Sequence, residues 1–155
     1  MSAPRCPYCG AAAQLVTGAK LYPHRPDLAH LKAWQCYPCA ASVGCHDGTT
    51  TPKGPLADGP TRRARMAAHA AFDPLWQRWR DAYPGEVRVP AQVRGAARGR
   101  AYAWLAHQLG IAAEDCHIGH MDAAQCERVV EVIRRERPTP VSIRAWAKSQ
   151  PEKAA

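Results

Sequence analysis

The 155-residue sequence predicts an α+β fold, and two observations carry this prediction. Two CxxC pairs lie within the first 39 residues, where short apolar runs alternate with turn residues. From residue 61 onward, apolar side chains instead recur at helical spacing. We therefore predict an N-terminal zinc ribbon of short β-hairpins over residues 1–55, a small helical bundle over 56–138 and a basic C-terminal tail over 139–155.

The ribbon is predicted from two short runs and the turn residues around them. Gln14–Thr17 and Leu31–Gln35 have the composition of β-strands. Between them, the two prolines of Tyr22–Asp27 fix φ and remove backbone donors, which indicates a loop. The Thr-, Gly- and Pro-rich stretch 48–60 is typical of a linker. Large apolar side chains are sparse, so a bound metal is expected to replace part of the missing core.

The four cysteines of the CxxC pairs are the predicted zinc ligands. They are Cys6, Cys9, Cys36 and Cys39. Each pair presents two sulfurs from one tight turn, and two such turns close a tetrahedral site. Four thiolates fill the coordination shell and leave no position for a substrate, so we predict one structural Zn²⁺ rather than a catalytic one. A dithiol redox motif would need only a single CxxC at a helix start.

Two further groups of cysteine and histidine are candidates for a second metal site. They are Cys45-His46 with His24 or His30, and Cys116-His117 with His120 and Cys126. Neither group contains a CxxC pair. Strand alternation after the second knuckle would bury Cys45, and helical spacing places Cys126 on an apolar face, so burial is the simpler interpretation for both cysteines.

Two helices are predicted in the first half of the bundle. Thr61 is a candidate N-cap for a helix over 62–72. Asp73-Pro74 resembles a second start, with Asp as the cap and Pro at the first helical position. The apolar face of this second helix ends at Tyr83.

The second half of the bundle contains a third helix, over 95–109, which Gly110 is expected to cap. Asp122 and Gln125 resemble a capping box before the most amphipathic segment of the chain. Prolines close that segment, and residues 141–149 are expected to add one or two helical turns.

The positive charge is concentrated in the middle of the chain. The formal net charge is +8, and residues 61–100 contain nine arginines against three acidic residues. Arginine makes forked contacts with phosphate, so these side chains suit a nucleic-acid backbone. The candidate nucleic-acid-binding residues are Arg62, Arg63, Arg65, Arg94, Arg98 and Arg100. Tyr8, Trp34 and Tyr37 are candidates for stacking on unpaired bases. The alternative interpretation is a solvated basic face.

Several motifs together resemble a known family. They are CPYCG at 6–10, YPHRPDL at 22–28, VGCHDGT at 43–49, AHAAFDPLW at 68–76, and AYAWLAHQLGI with CHIGHMD within 101–122. They are similar to a zinc-finger-containing domain family of unknown function found mostly in phages, prophages and bacterial genomes. The resemblance implies zinc binding by the cysteines and implies no activity. Residues 109–133 are also weakly similar to helical hairpins of phage recombination and DNA-processing proteins.

The function predicted from these features is non-catalytic binding of DNA or RNA by a phage- or prophage-type accessory protein. An alternative is a protein-interaction adaptor that docks on host or phage machinery through Trp76, Trp79 and Trp104. A minor alternative is a metal-dependent nuclease. Its catalytic metal would be held by His and Asp side chains drawn from His24, His46, Asp47, His69 and Asp73.

The expected localisation is the cytoplasm, with no membrane partner and no small-molecule substrate. Residues 1–5 lead directly into Cys6 without an apolar segment typical of a signal peptide. No stretch of about 18 apolar residues occurs, as a membrane span would require. The seven cysteines indicate thiols and metal ligands in a reducing compartment.

Overall fold

The computed structural model describes residues 2–85 and 92–151, and the chain forms two compact units, Met1–Arg63 and Ala64–Ala155. The division falls inside the helix that spans Gly59–Phe72, after the predicted end of the ribbon at residue 55. Arg88 and the last four residues of the predicted basic tail lie outside the described residues.

A small antiparallel sheet organises the N-terminal unit. Its strands lie in the order β1 (Gln14–Thr17), β2 (Lys32–Gln35) and β3 (Ser42–Gly44). The short helix α1 (Gly18–Leu21) and a 3₁₀ turn at Pro26–Leu28 connect β1 to β2. The strands occupy the two runs predicted from the sequence, and the third strand follows the second CxxC pair.

Alternation along the strands decides which side chains enter the core. Val16 lies opposite Ala33, and both are buried, whereas Leu15 faces outward beside them. The turn after β1 requires a glycine, because a Cβ at Gly18 would overlap the carbonyl oxygen of Leu28. The loop between β1 and β2 therefore folds back closely onto the strand end.

Helices account for most of the remaining structure. They are α2 (Gly59–Phe72), α3 (Pro74–Gln77), α4 (Gln92–Leu109), α5 (Ala123–Glu136) and α6 (Pro140–Ser149), with 3₁₀ turns at Trp79–Ala82, Ala113–Asp115 and Ile118–His120. Together with the sheet they confirm the predicted α+β class. None of the helices in the described ranges has the length and apolar composition needed to cross a membrane.

Helix α4 lies at the centre of the helical unit and packs against α3, α5 and α6. The fully buried side chains of the core include Phe72, Leu105, Ile118 and Val129. The ring centroid of Phe72 lies 4.5 Å from that of Tyr102 on α4. This core is built from large apolar side chains and from closely packed alanines of α2 and α4.

The predicted cap of α2 is wrong, whereas α3 begins at Pro74 after Asp73 as predicted but without a side-chain cap hydrogen bond. The backbone N–H of Thr61 donates to the Asp58 carboxylate at 2.8 Å, so Asp58 caps α2, and Thr61 itself is buried. Asp73 has helical dihedrals and makes no cap hydrogen bond. Its carboxylate instead accepts from the indole N–H of Trp76 at 3.1 Å and lies 3.3 Å from His69 Nδ1. A long-range contact with Tyr8 engages the Thr61 side chain, whereas Asp73 contacts side chains within one turn on either side of it.

The caps of α4 and α5 are as predicted. Gly110 has φ +67 after the last residue of α4. Asp122 and Gln125 form both hydrogen bonds of a capping box, at 2.8 and 3.0 Å. These signals are local in sequence, so no distant contact overrides them.

Helix α6 is longer than the one or two turns expected of residues 141–149. It has ten residues and its own capping box, between Thr139 and Ser142. Ile143 is buried in the core, and the Arg144 guanidinium donates to the carbonyl of Ala82 at 2.7 Å. This part of the predicted tail is therefore an integral helix of the unit.

Candidate metal centre

Four sulfur atoms converge in the N-terminal unit. The Sγ atoms of Cys6, Cys9, Cys36 and Cys39 all lie within 4.8 Å of one another. Cys9 Sγ and Cys36 Sγ are 3.5 Å apart. Zinc–sulfur bonds of about 2.3 Å in a regular tetrahedron place the sulfurs about 3.8 Å apart. The cluster therefore has the size of a zinc tetrathiolate site, and the four cysteines can bind one zinc ion.

The two CxxC turns have nearly the same backbone geometry. In the first, the N–H of Cys6 donates to the carbonyl of Ala11 at 2.9 Å, and in the second, the N–H of Cys36 donates to Ala41 at 2.8 Å. The residue after each second cysteine is left-handed, with φ +73 at Gly10 and φ +54 at Ala40. This conformation turns the chain back over the sulfurs, so each pair is held as a preformed knuckle.

The electrostatics of the four thiols favour a divalent cation at their centre. Burial opposes ionisation of Cys6, but the N–H groups of Tyr8 and Cys9 and the neighbouring thiols lower its pKa to about 7. Hydrogen bonding to Cys9, followed by burial, raises the pKa of Cys39 to about 12, and burial raises that of Cys36. The raised pKa values of Cys36 and Cys39 disfavour a second thiolate beside the first. Bound Zn²⁺ supplies the charge that removes this obstacle.

The apolar surroundings of the site are small. The buried members of this core are Cys6, Ala13, Cys36, Ala41 and Leu56. Two of the five are cysteines of the candidate metal site, so apolar packing alone gives this unit little stability. The indole of Trp34 packs on the cluster and donates to the carbonyl of Thr50 at 2.8 Å. The chemistry of this site is consistent with structural zinc, as the sequence predicted.

Two side chains that are candidates for nucleic-acid contact also make hydrogen bonds within the N-terminal unit. The Tyr8 hydroxyl lies 2.9 Å from Thr61 Oγ1 and accepts from the N–H of Asp58 at 3.2 Å. The Arg62 guanidinium donates to Ser42 Oγ at 2.6 Å and to the carbonyl of Ala57 at 3.3 Å. Both connect the start of α2 to the ribbon, which sequence spacing alone did not indicate.

The two candidate second metal sites do not form. Among the residues that the structure describes, Cys6, Cys9, Cys36 and Cys39 are the only group of three or more Cys, His, Asp or Glu side chains that could hold a metal ion. Cys45, Cys116 and Cys126 are buried, and burial raises the pKa of each thiol, that of Cys116 to about 11. All three are buried, as the simpler interpretation predicted for Cys45 and Cys126.

The other candidate arginines differ in their surroundings. In the helical unit, Arg65 donates to the carbonyl of Met121 at 2.8 Å, and Arg100 donates to the Tyr83 hydroxyl at 3.3 Å. Arg63 is exposed in the N-terminal unit. Arg94 and Arg98 lie one turn apart on α4, and their guanidinium groups both lie over the ring of Trp76. The structure thus brings two of the six candidates together on one aromatic side chain.

The structure also shows where the candidate residues of the adaptor and nuclease alternatives lie. Trp79 and Trp104 are buried in the helical unit, so of the three tryptophans only Trp76 is partly accessible for docking. Of the candidate nuclease residues, His69 and Asp73 form a contact in the helical unit, whereas His24, His46 and Asp47 belong to the N-terminal unit. No catalytic metal cluster is formed by these side chains within the described ranges.

Comparison with known proteins agrees with the zinc chemistry of the site. A family model described as a zinc-finger-containing domain matches residues 2–136. No curated protein and no solved structure matches the chain. The matched region includes all four cysteines of the cluster and most of the helical unit. The chain therefore belongs to this family of zinc-finger-containing domains.

Proposed function

We propose that this protein binds nucleic acid without catalysis, through a surface of α3 and α4 that we call the basic–aromatic face. The face consists of Trp76, Arg94, Arg98 and Tyr102. In this proposal the zinc ribbon stabilises the N-terminal unit and takes no direct part in chemistry.

The observation that carries this proposal is the stacking of two arginines on aromatic rings. The guanidinium of Arg94 lies 5.4 Å from the Trp76 ring centroid, and that of Arg98 lies 5.6 Å from Trp76 and 5.1 Å from Tyr102. Stacking orients a guanidinium while its N–H groups remain available to a phosphate. Within the ranges 2–85 and 92–151, no carboxylate forms an ion pair with either arginine.

The charge of the whole chain supports a polyanionic ligand. Four thiolates and one Zn²⁺ together contribute a net charge of about −2, so the formal charge of +8 falls to about +6 in the metal-loaded protein. A positive net charge of this size attracts phosphate backbones at low salt. It adds association strength without specifying a sequence.

We also place the protein among the accessory factors of phages and prophages, acting in the cytoplasm. The motifs at 6–10, 43–49 and 101–122 support this setting, because they resemble a family found mostly in phages, prophages and bacterial genomes. Seven free cysteines are suited to a reducing compartment, where thiols persist and zinc binding is not lost to disulfide formation.

Fluorescence anisotropy with labelled single- and double-stranded oligonucleotides tests the proposal. The double variant Arg94→Ala/Arg98→Ala is expected to bind roughly 10-fold more weakly and to reduce the slope of log K against log salt by about 1 to 2. Arg134→Ala/Arg135→Ala removes the same charge from exposed positions of α5 and serves as the control. Equal losses in both variants, or no micromolar binding at low salt, would overturn the proposal.

Incubation with plasmid in Mg²⁺ or Mn²⁺ separates binding from nuclease activity. We expect no cleavage, because the described residues form no second metal cluster. Cleavage that is lost in Asp73→Asn would instead favour an enzyme.

A further inference from the structure

A cavity of 380 Å³ lies beside the basic–aromatic face in the helical unit. The residues that line it include Gly95, Arg98, Gly99, Tyr102, Cys116 and His117. Its volume falls within the range of about 300 to 1,000 Å³ that is typical of small-ligand pockets. Arg98 and Tyr102 belong to both the face and the cavity, so a ligand on the face would have direct access to this space.

The walls of the cavity combine a cation with flat aromatic groups. The Tyr102 ring is packed against Phe72 at 4.5 Å between centroids, and the Arg98 guanidinium lies 5.1 Å from it. On another side, the imidazole of His117 lies 5.6 Å from the Tyr102 ring. Guanidinium and aromatic planes are the groups on which proteins stack unpaired bases. The Arg98 side chain also offers hydrogen-bond donors for the adjoining phosphate.

Two glycines keep the α4 side of the cavity open. Glycine in a helix interior costs roughly 1 kcal/mol relative to alanine, and Gly95 and Gly99 both lie inside α4. A Cβ at either position would meet no atom within 4 Å, so close packing does not explain them. Side chains at these positions would occupy the cavity. The two glycines therefore leave room for a ligand.

Two other cavities in the described part of the chain differ from this one in their lining residues. A cavity of 460 Å³ near Trp146 also contains an arginine and aromatic rings, but this arginine, Arg100, donates to the Tyr83 hydroxyl. A cavity of 320 Å³ beside His46 has no aromatic ring other than imidazole. Arg98 and Tyr102 therefore distinguish the cavity on α4.

We propose that this cavity receives one unpaired base of a single-stranded nucleic acid while Arg98 contacts the adjoining phosphate. The inference rests on the proposed function and adds a preference for single strands. A base within a duplex is paired and stacked, so it cannot enter without being extruded. The duplex would therefore use only the charge of the face, and the single strand would use both the charge and the cavity.

The variant Gly99→Leu tests the cavity without removing a charge. Leucine fills the space and is a better helix former than glycine, so the fold is expected to persist. Ala96→Leu places the same side chain on an exposed position of α4 that does not line the cavity. Thermal unfolding followed by circular dichroism checks that both variants are as stable as the original chain.

Anisotropy is measured with labelled 12-nucleotide single strands of DNA and RNA and with the matching duplexes. We expect the original chain to prefer at least one of the single strands. Loss of one stacked base is worth roughly 5- to 150-fold in affinity, so Gly99→Leu is expected to weaken single-strand binding by a factor in this range. Duplex binding by Gly99→Leu, and all binding by Ala96→Leu, are expected to be unchanged.

The outcomes separate this inference from the proposed function. Equal single-strand affinities of Gly99→Leu and Ala96→Leu would overturn the base site, and so would a preference of the original chain for duplexes. The proposed function would still stand in either case if Arg94→Ala/Arg98→Ala lost affinity. Absence of binding to every oligonucleotide would overturn both.

Discussion

The two units of this chain reach a stable fold in different ways. The N-terminal unit surrounds its metal site with Ala13, Ala41 and Leu56, and few other apolar side chains are buried there. The helical unit buries large side chains such as Phe72 and Leu105 from several helices. A small unit gains little from apolar burial, so metal coordination supplies its stability, whereas a larger helical core needs no ion. Loss of zinc should therefore unfold the N-terminal unit, and loss of core packing should destabilise the helical unit.

Removal of the metal is expected to have the largest effect. Structural zinc sites contribute apparent binding energies of about 10 to 16 kcal/mol, which exceeds what this core can replace. We expect one zinc per chain by metal analysis and none in Cys36→Ser. NMR signals of residues 2–57 should collapse in that variant, while those of α5 and α6 persist.

Cys45→Ala is the matched control for that experiment, since Cys45 is also a buried cysteine of the N-terminal unit but lies outside the cluster. It should retain the zinc. A second zinc per chain, or loss of the helical signals together with the metal, would contradict the separation between the two units.

A substitution that creates a cavity in the helical core is expected to have the next largest effect on stability. Leu105 is fully buried, so Leu105→Ala should lower the free energy of unfolding by about 2 to 5 kcal/mol in urea titrations followed at 222 nm. The zinc content should not change. Val141→Ala, at an exposed position of α6, should cost far less. Zinc loss in Leu105→Ala at temperatures where it remains folded would show that the units are coupled.

Alkaline pH should weaken the helical unit through Cys116. Burial raises the pKa of this thiol to about 11, whereas an unfolded chain releases the proton near pH 8.5. The folded state therefore keeps a proton that the unfolded state has lost. The stabilisation is complete below about pH 8.5 and is lost as the pH rises toward 11.

Urea titrations at pH 8 and pH 10 measure this effect. Cys116 is expected to account for ~1 to 2 kcal/mol of the decrease in unfolding free energy between these values. Cys116→Ala should show a correspondingly smaller decrease, whatever its stability at pH 8. If the original chain and Cys116→Ala lost the same unfolding free energy between pH 8 and pH 10, the effect would not be due to this thiol.

The smallest expected effect compares the two zinc knuckles. Gly10 and Ala40 occupy corresponding left-handed positions, and the left-handed conformation costs a residue with a Cβ about 1 to 2 kcal/mol. Ala40→Gly removes this strain but increases the conformational entropy of the unfolded chain. The free energy of unfolding should therefore rise by only ~0.5 to 1 kcal/mol. Competition with a zinc chelator should show slower metal loss.

Gly10→Ala is the reciprocal variant and should release zinc faster, because it introduces the strain that Ala40 already carries. Faster release from Ala40→Gly than from the original chain would mean that the two knuckles do not hold the metal in equivalent ways.

Local signals in the sequence predicted the parts of the fold that depend on neighbouring residues. The capping box of Asp122 and Gln125 is one example, since both hydrogen bonds join residues three apart. The cap assigned to Thr61 was wrong because this side chain has a distant partner, and the Asp73 side chain makes no cap hydrogen bond although it lies at the N-cap position of α3. Thr61 contacts Tyr8, 53 residues away in sequence, and Asp73 accepts from the indole of Trp76.

The sequence by itself predicted the four cysteines that lie together and the fold class, because CxxC spacing and apolar periodicity follow from local backbone geometry. Only the tertiary structure decided which groups each arginine contacts. Arg65 and Arg100 donate to groups on other elements, whereas Arg94 and Arg98 converge on Trp76. The composition of the middle segment gave all of them the same charge, but the available partners depend on which helix faces pack together. That choice depends on long-range packing, and no short pattern contains it.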